Sequence, residues 1–377
     1  MTADLAARAA DPVAAARAVV GWYGDPTISW SVLLQARLAA PVAAGAVAER
    51  LARLVVRYPH LGAPPVVQAV PDEAWPAACA AFADRPYADR APMVRTAVGT
   101  ESGLVLVAAH HGATDGLGLL AVLAAALGIT LTSQASGIAD RPSSSPFLAS
   151  AARRLAEALF APPARIAPAR PATGRPAPGH PAPGDVLVCA DLPAAPVGSA
   201  ALTAAIGRAA QEWNARHRTP YRRAVAGLGL SRRSGDRATP VAGSAFLRLR
   251  LPGASDTGTV RGLIAAQPPE PDFPRSSSRM PIVVTRLLAS RLGSTFLASN
   301  LGVVHGPHQV RSLAFYPAAS GRSGVAVGAA TVGHTTTITL RARRSSFDRA
   351  GAAELLSMIV ARLPAPPGAT ITPPAGP

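Results

Sequence analysis

Lysine is absent from the 377 residues, so all 37 basic side chains are arginine, and against 21 carboxylates they give a formal net charge of +16. A chain without lysine and rich in alanine, arginine and proline has the composition of a GC-biased coding sequence, which raises arginine content without any functional demand. The arginines pair only briefly (Arg153-Arg154, Arg222-Arg223, Arg232-Arg233, Arg343-Arg344) and form no basic stripe. Aromatic residues make up 5%, too few to supply stacking platforms for single strands. No nucleic-acid partner is expected.

Cysteine is as scarce. Cys79 and Cys189 sit in no CxxC pair and near no histidine cluster, so neither a disulfide framework nor a thiolate metal site is implied. Two buried apolar thiols are expected. Long apolar runs are also missing: the longest, Leu117 to Leu131, is too short and too glycine-containing to cross a bilayer. Residues Met1 to Asp11 show no basic-then-apolar leader pattern. A cytoplasmic protein without membrane association is expected.

What is present is a hydrophobic content of 49% with 15% charged residues, enough for a sizeable core divided between two domains. The seam is Ala161 to Asp185, where prolines at 162, 163, 168, 171, 176, 178, 181 and 183 forbid a helix or a central strand. The expected organisation is an N-terminal half over 1–160, a linker or crossover over 161–185, a C-terminal half over 186–363 and a loose tail over 364–377.

Periodicity places strands at Ser29–Leu38, near Val66–Val70, at Met93–Val98 and at Leu104–Ala109 in the first half. Helices are expected at Pro41–Tyr58, Glu73–Ala83, Gly116 to about Leu127 and Pro146–Phe160. The second half predicts strands at Val186–Leu192, Arg223–Leu230, Ser244–Leu251, Thr295–Ser299, Gly324–Val332 and Thr335–Arg341. Its helices are expected at Ala200–Arg216, Asp256–Ala266, Ile282–Leu292 and Asp348–Leu363, the last opened by capping oxygens in Ser345-Ser346-Phe347-Asp348.

The chemistry concentrates in LVLVAAHHGATDGLGLLAVL, Leu104 to Leu123, where a strand runs into His110-His111, a turn, Asp115-Gly116 and a helix. Adjacent strand residues point to opposite faces, so His110 and His111 cannot easily grip one ion. A neutral imidazole accepts a proton at neutral pH. One histidine therefore suits a general base, the other packing or a hydrogen bond. Asp115, followed by a glycine that permits close approach, suits an orienting ion pair better than a nucleophile.

HHGATDG, His110 to Gly116, resembles the HHxxxDG motif of the condensation-domain and acyltransferase superfamily, which includes nonribosomal peptide condensation domains, polyketide-associated acyltransferases and wax ester synthase/diacylglycerol acyltransferases. Leu34 to Gly62 is similar to the family's first strand, helix and turn; Ser299 to Gly302 resembles its "SN-G" segment; Gly333 to Leu363 resembles its closing strand and helix. The matches occur in the family's order.

The resemblance implies an α/β protein of two chloramphenicol-acetyltransferase-like halves forming a V, with a central tunnel. It implies His111 as base or proton-positioning residue, His110 as support, and Asp115 in a structural ion pair with an arginine of the second half. Arg232 is the first choice for that arginine and Arg233 the second. Gly116 supports the motif, and Ser299, Asn300 and Gly302 would line the tunnel. It further implies no metal and no tightly bound cofactor. The donor would be an acyl-CoA or a phosphopantetheinyl carrier protein, and the acceptor a small amine or alcohol. With no carrier or adenylation domain in the sequence, a carrier is expected to act in trans on a monomer.

The implied function is a free-standing condensation-like acyltransferase of secondary metabolism. The alternatives are a non-catalytic carrier or ligand-binding module, or a cyclising, dehydrating or hydrolysing enzyme on the same scaffold. The absence of a GxSxG elbow fits direct transfer. Gly116-Leu117-Gly118-Leu119-Leu120-Ala121 reads as GxGxxA but lacks the surrounding parallel βαβ units of a dinucleotide fold. His305 and His308 lack a third ligand nearby.

Overall fold

The structure, a computed structural model, describes residues 28–87, 91–135, 137–138, 141–143, 146–169, 184–193, 196–233, 237–271 and 293–364. The helix expected at Ile282–Leu292 lies outside the described residues.

The first lobe is built on strands β1 (Ser31–Leu38), β2 (Val67–Val70), β3 (Val94–Gly99) and β4 (Leu104–His110) with helices α1 (Ala44–Arg57), α2 (Trp75–Asp84) and α3 (Gly116–Leu127). The second is built on β6 (Asp185–Pro193), β7 (Ala224–Ser231), β8 (Ser244–Leu251), β9 (Phe296–His305), β11 (Val325–Val332) and β12 (Thr335–Arg343). Its helices are α4 (Phe147–Phe160), α5 (Ser199–Arg216), α6 (Thr257–Ala266) and α7 (Arg349–Val360). Two further strands, β5 (Thr132–Ser133) and β10 (Val310–Tyr316), cross between the lobes.

The crossing is explicit in the pairing. The five-stranded sheet runs β10-β1-β4-β3-β2, so its edge strand comes from the chain's second half. The other sheet runs β6-β12-β11-β9-β7-β8, and β5 from the first half pairs antiparallel with β9. Helix α4 crosses as well: Glu157 is ion-paired with Arg248 of β8 at 2.5 Å, and Arg154 with Glu270 at 3.1 Å. Chain halves and lobes therefore do not coincide.

The sequence reading places no element at β10. Four consecutive residues, Leu313 to Tyr316, are buried, so the period-2 alternation that marks a half-exposed strand is missing. Both faces are covered: Leu313 and Phe315 enter the apolar cluster on one side of the sheet, Ala314 and Tyr316 the cluster on the other. A Cβ at Gly328 of β11 would fall 1.9 Å from the Phe315 carbonyl oxygen; only glycine lets the two sheets approach there. Thr339 Oγ1 of β12 donates a short hydrogen bond to the same carbonyl.

Three apolar clusters fill the layers. One lies between the second sheet and α5, α6 and α7, around Trp213, Phe296 and Phe347. A second lies between the first sheet and α1 and α3, and takes in Leu301 and Val304 of β9. The third covers the other face of the first sheet with α2, around Trp75, Phe82 and Tyr316.

The proline-rich seam opens as pinned chain. Ile166 and Ala167 are 1% exposed. Proline-spaced chain forms no ladder, so its polar groups find side chains instead. Ala167 N–H donates to Asn214 Oδ1 at 2.9 Å, Asn214 Nδ2 to the Arg165 carbonyl at 2.7 Å, and Trp213 Nε1 to the Ala167 carbonyl at 2.9 Å.

Neither cysteine is fully buried, against expectation: Cys79 of α2 is half-buried and Cys189 of β6 is exposed. Desolvation, helped by Cys189 nearby, still pushes the Cys79 thiol up to about 12, so it stays protonated and unreactive. Among the described residues no helix is long and apolar enough to cross a membrane.

Candidate functional site

Strand β4 delivers His110 to the end of the first sheet, where Ser31 of β1 is its register partner. His110 is 3% exposed. Its Nδ1 accepts the Gly112 N–H at 3.1 Å, and its ring stands edge-on to Tyr87 at 5.3 Å. It therefore shapes the turn that follows the strand.

His111 leaves the strand. Its N–H donates to the Trp30 carbonyl at 2.8 Å, and Trp30 is held at a φ of 54°, a left-handed conformation that a bulky residue rarely adopts and that strains the backbone beside the site. The His111 Nδ1 lies 3.3 Å from the Thr114 carbonyl oxygen. A carbonyl can only accept, so Nδ1 carries the hydrogen and Nε2 of the neutral ring is left with its lone pair. Phe246 of β8 meets the imidazole edge-on at 6.3 Å. Burial holds the His111 pKa below the ordinary imidazole value, against the opposing pull of the Thr114 carbonyl and the Asp115 charge. The ring is therefore neutral at neutral pH, the form a general base requires.

Asp115 is 3% exposed and joins the lobes. Its Oδ1 accepts the Gly118 N–H at 2.7 Å, capping α3. Its Oδ2 accepts the N–H of Gly243, before β8, at 2.7 Å. Arg233 Nη2 lies 3.1 Å from Oδ1. The arginine of the second half is thus Arg233 and not Arg232, which sequence reading ranked first. The reason is local: Arg232 donates its backbone N–H to the Gly243 carbonyl at 2.8 Å, and the next residue is the one whose guanidinium reaches the carboxylate. Arg233 Nη2 also donates to the carbonyls of Thr239, at 3.1 Å, and Val241.

Gly116 is packed so closely that a Cβ would meet Phe315 Cζ at 2.8 Å and Leu301 Cδ2 at 3.0 Å. The motif thereby abuts β9 and β10. In β9 the pairing with β11 shifts between Ala329 and Thr331, opposite Asn300 to Val303. Gly302 takes up this bulge at a φ of 69°, where a Cβ would lie 2.7 Å from the Ala135 nitrogen. Asn300 Oδ1 accepts the Gly302 N–H at 2.8 Å, and its Nδ2 donates to the Val197 carbonyl at 2.6 Å. Both ends of the Asn300 amide are therefore engaged in the bulge. Ser299 faces Gly229 of β7, whose Cβ position is 3.3 Å from Ser299 Oγ.

Sequence reasoning did not anticipate Tyr87, Gly243 or Phe246, which reach the motif from distant segments, nor the hydrogen bond from His60 Nε2 to the Pro240 carbonyl at 2.8 Å. A groove of about 280 Å³, lined by Arg37, Arg311, Asp191 and Thr335 among others, opens at the far end of β1 from His110. It takes no part in this constellation.

No family model matches the sequence, and no curated protein is detectably similar to it. Solved structures match over nearly its whole length. The first condensation domain of the calcium-dependent antibiotic synthetase, in complex with a substrate analogue, is 15% identical with a TM-score of 0.57 over 93% of this chain and 94% of that one. The starter condensation domain of rhizomide synthetase, as a mutant in complex with C8-CoA and Leu-SNAC, is 14% identical with a TM-score of 0.53 over 96% of each chain. The epimerization domain from the third module of tyrocidine synthetase B is 13% identical with a TM-score of 0.52 over 93% of this chain and 95% of that one. The chain has the two-lobed α/β fold of condensation domains.

Proposed function

We propose that the chain is a condensation-like acyltransferase that moves an acyl or aminoacyl group from a thioester to an amine or hydroxyl acceptor, with His111 as general base. The observation that carries this is the geometry of the His111 imidazole, whose Nδ1–H is directed to the Thr114 carbonyl so that Nε2 is left to accept a proton. Its support is the Asp115–Arg233 pair between the lobes.

In the proposed step His111 Nε2 takes the proton as the acceptor nitrogen or oxygen attacks the thioester carbonyl carbon. The C–S bond then breaks, and the departing sulfur takes that proton back from the imidazolium. A thioester is already activated, so alignment and one proton relay are sufficient, and no covalent acyl-enzyme is needed. The C8-CoA and Leu-SNAC bound to the rhizomide synthetase domain favour an acyl-CoA or carrier-bound phosphopantetheine donor here. A carrier protein acting in trans and a small amine or alcohol are the proposed partners.

The test is intact-mass spectrometry of acyl-CoAs and acylated carrier proteins incubated with acceptor pools and either the wild-type chain or His111→Ala. Transfer of the acyl mass to an amide or ester only with the wild type supports the reading. Equal turnover by both proteins overturns it.

A further inference from the structure

His60 lies in a single 3-10 turn, Pro59–Leu61, that follows α1, fixed by the fully buried Leu61 and by the Tyr58 ring standing edge-on at 6.1 Å. Its Nε2 is 2.8 Å from the carbonyl oxygen of Pro240 in the second lobe. That carbonyl can only accept, so Nε2 is the donor.

Pro240 belongs to the short segment 239–243, whose backbone contacts both Arg233 and Asp115. The carbonyls of Thr239 and Val241 orient the Arg233 guanidinium, and the Gly243 N–H reaches Asp115. The Arg233 bonds arise within the second lobe. Among the described residues, Asp115 and His60 supply hydrogen bonds from the first lobe to this segment. One of them is the constellation itself; the other is independent of it. His60 thus holds in register the strip of backbone that aims Gly243 and Arg233 at Asp115, and Asp115 in turn caps the helix behind His111.

We infer that His60 is a positioning residue for the His111 site, acting through segment 239–243 and Asp115. This rests on the acyl-transfer reading for its kinetic consequence but not for its structural one. Glutamine places an amide Nε2–H the same number of bonds from Cα, so His60→Gln can keep the hydrogen bond that His60→Ala removes.

The experiment is peptide-resolved hydrogen exchange on the full chain in wild type, His60→Ala and His60→Gln, with thermal midpoints and, using the donor found by mass spectrometry, separate kcat and KM. His60→Ala is expected to raise exchange across 239–243 on the order of tenfold and to lower kcat by roughly ten- to hundredfold at unchanged KM. His60→Gln should recover both. Unchanged exchange in His60→Ala overturns the inference, and so does an equal loss in both variants together with a lowered thermal midpoint. A wild type that turns over no thioester defeats the functional reading alone, since the exchange arm still decides the role of His60.

Discussion

Arg341 of β12 donates from Nη1 to the Ser31 carbonyl of β1 at 2.5 Å, tying the second lobe to the strand that begins beside His110. The guanidinium is 0% exposed and also pairs through Nε with Asp185 at 2.6 Å, while Nη2 donates to the Ala83 carbonyl at 3.1 Å. Asp185 N–H in turn donates to Asp84 Oδ1 at 2.8 Å, and burial beside Asp185 raises the Asp84 carboxyl above the usual range. Removing one member of a buried ion pair strands the other charge. Arg341→Met is expected to lose about 3–5 kcal/mol of unfolding free energy in urea. The double replacement Arg341→Met with Asp185→Leu should recover much of that. A single variant within about 1 kcal/mol of wild type would show that the pair does not stabilise the junction.

Under the proposed mechanism His111 sets the acid limb of turnover. Its pKa is lowered by burial, and the reactive form is the neutral one. Turnover should therefore hold as pH falls through the ordinary imidazole value of about 6.5 and drop only below it. Stability follows the same sign. The unfolded chain protonates this histidine near 6.5 while the folded one resists, so its contribution is complete above that value and is lost as pH falls through the depressed folded value. His111→Asn should flatten the stability profile in that window. A turnover limb above 6.5 would assign the essential proton to another group.

The element pattern was legible where periodicity was clean: α3 appears at Gly116–Leu127 and β8 at Ser244–Leu251 as expected. It failed where burial on both faces erased the period, as in β10. The His-His-Asp motif was legible because its residues are contiguous. The choice between Arg232 and Arg233 was not, since it depends on how β7 ends and on where carbonyls 239 and 241 fall. Contacts such as His60 to Pro240 and Arg341 to Ser31 join residues 180 and 310 positions apart. No local signal encodes them.

Gly118 separates two opposing effects. Replacing it with alanine in a helix should stabilise by about 1 kcal/mol from backbone entropy. Here the added Cβ would lie 1.9 Å from Thr114 Oγ1 and 2.8 Å from the Val241 carbonyl oxygen. The hydroxyl can rotate, but the carbonyl is backbone held by Arg233. Overpacking of this kind costs about 1–3 kcal/mol, so Gly118→Ala is expected to be destabilising on balance and to reduce turnover by displacing the Arg233 support. A raised thermal midpoint with full turnover would mean that segment 239–243 yields without consequence.

Arg233 permits the sharpest separation of charge from shape. Its Nη2 serves Asp115, Thr239 and Val241 together, from a planar group placed more rigidly than an ammonium on a flexible four-carbon stem. Arg233→Gln removes the charge and leaves Asp115 buried. The N–H groups of Gly118 and Gly243 still face that carboxylate, which puts the loss at about 3 kcal/mol, the lower end for a broken buried pair. Arg233→Lys keeps the charge and should lose less stability, yet it no longer orients the two carbonyls, so its deficit should appear mainly in kcat. Equilibrium unfolding and steady-state kinetics on both variants decide between these. If Lys matches Gln in stability and wild type in kcat, the pair acts through the shape of the guanidinium on the fold alone, and Asp115 needs no directed guanidinium to support His111.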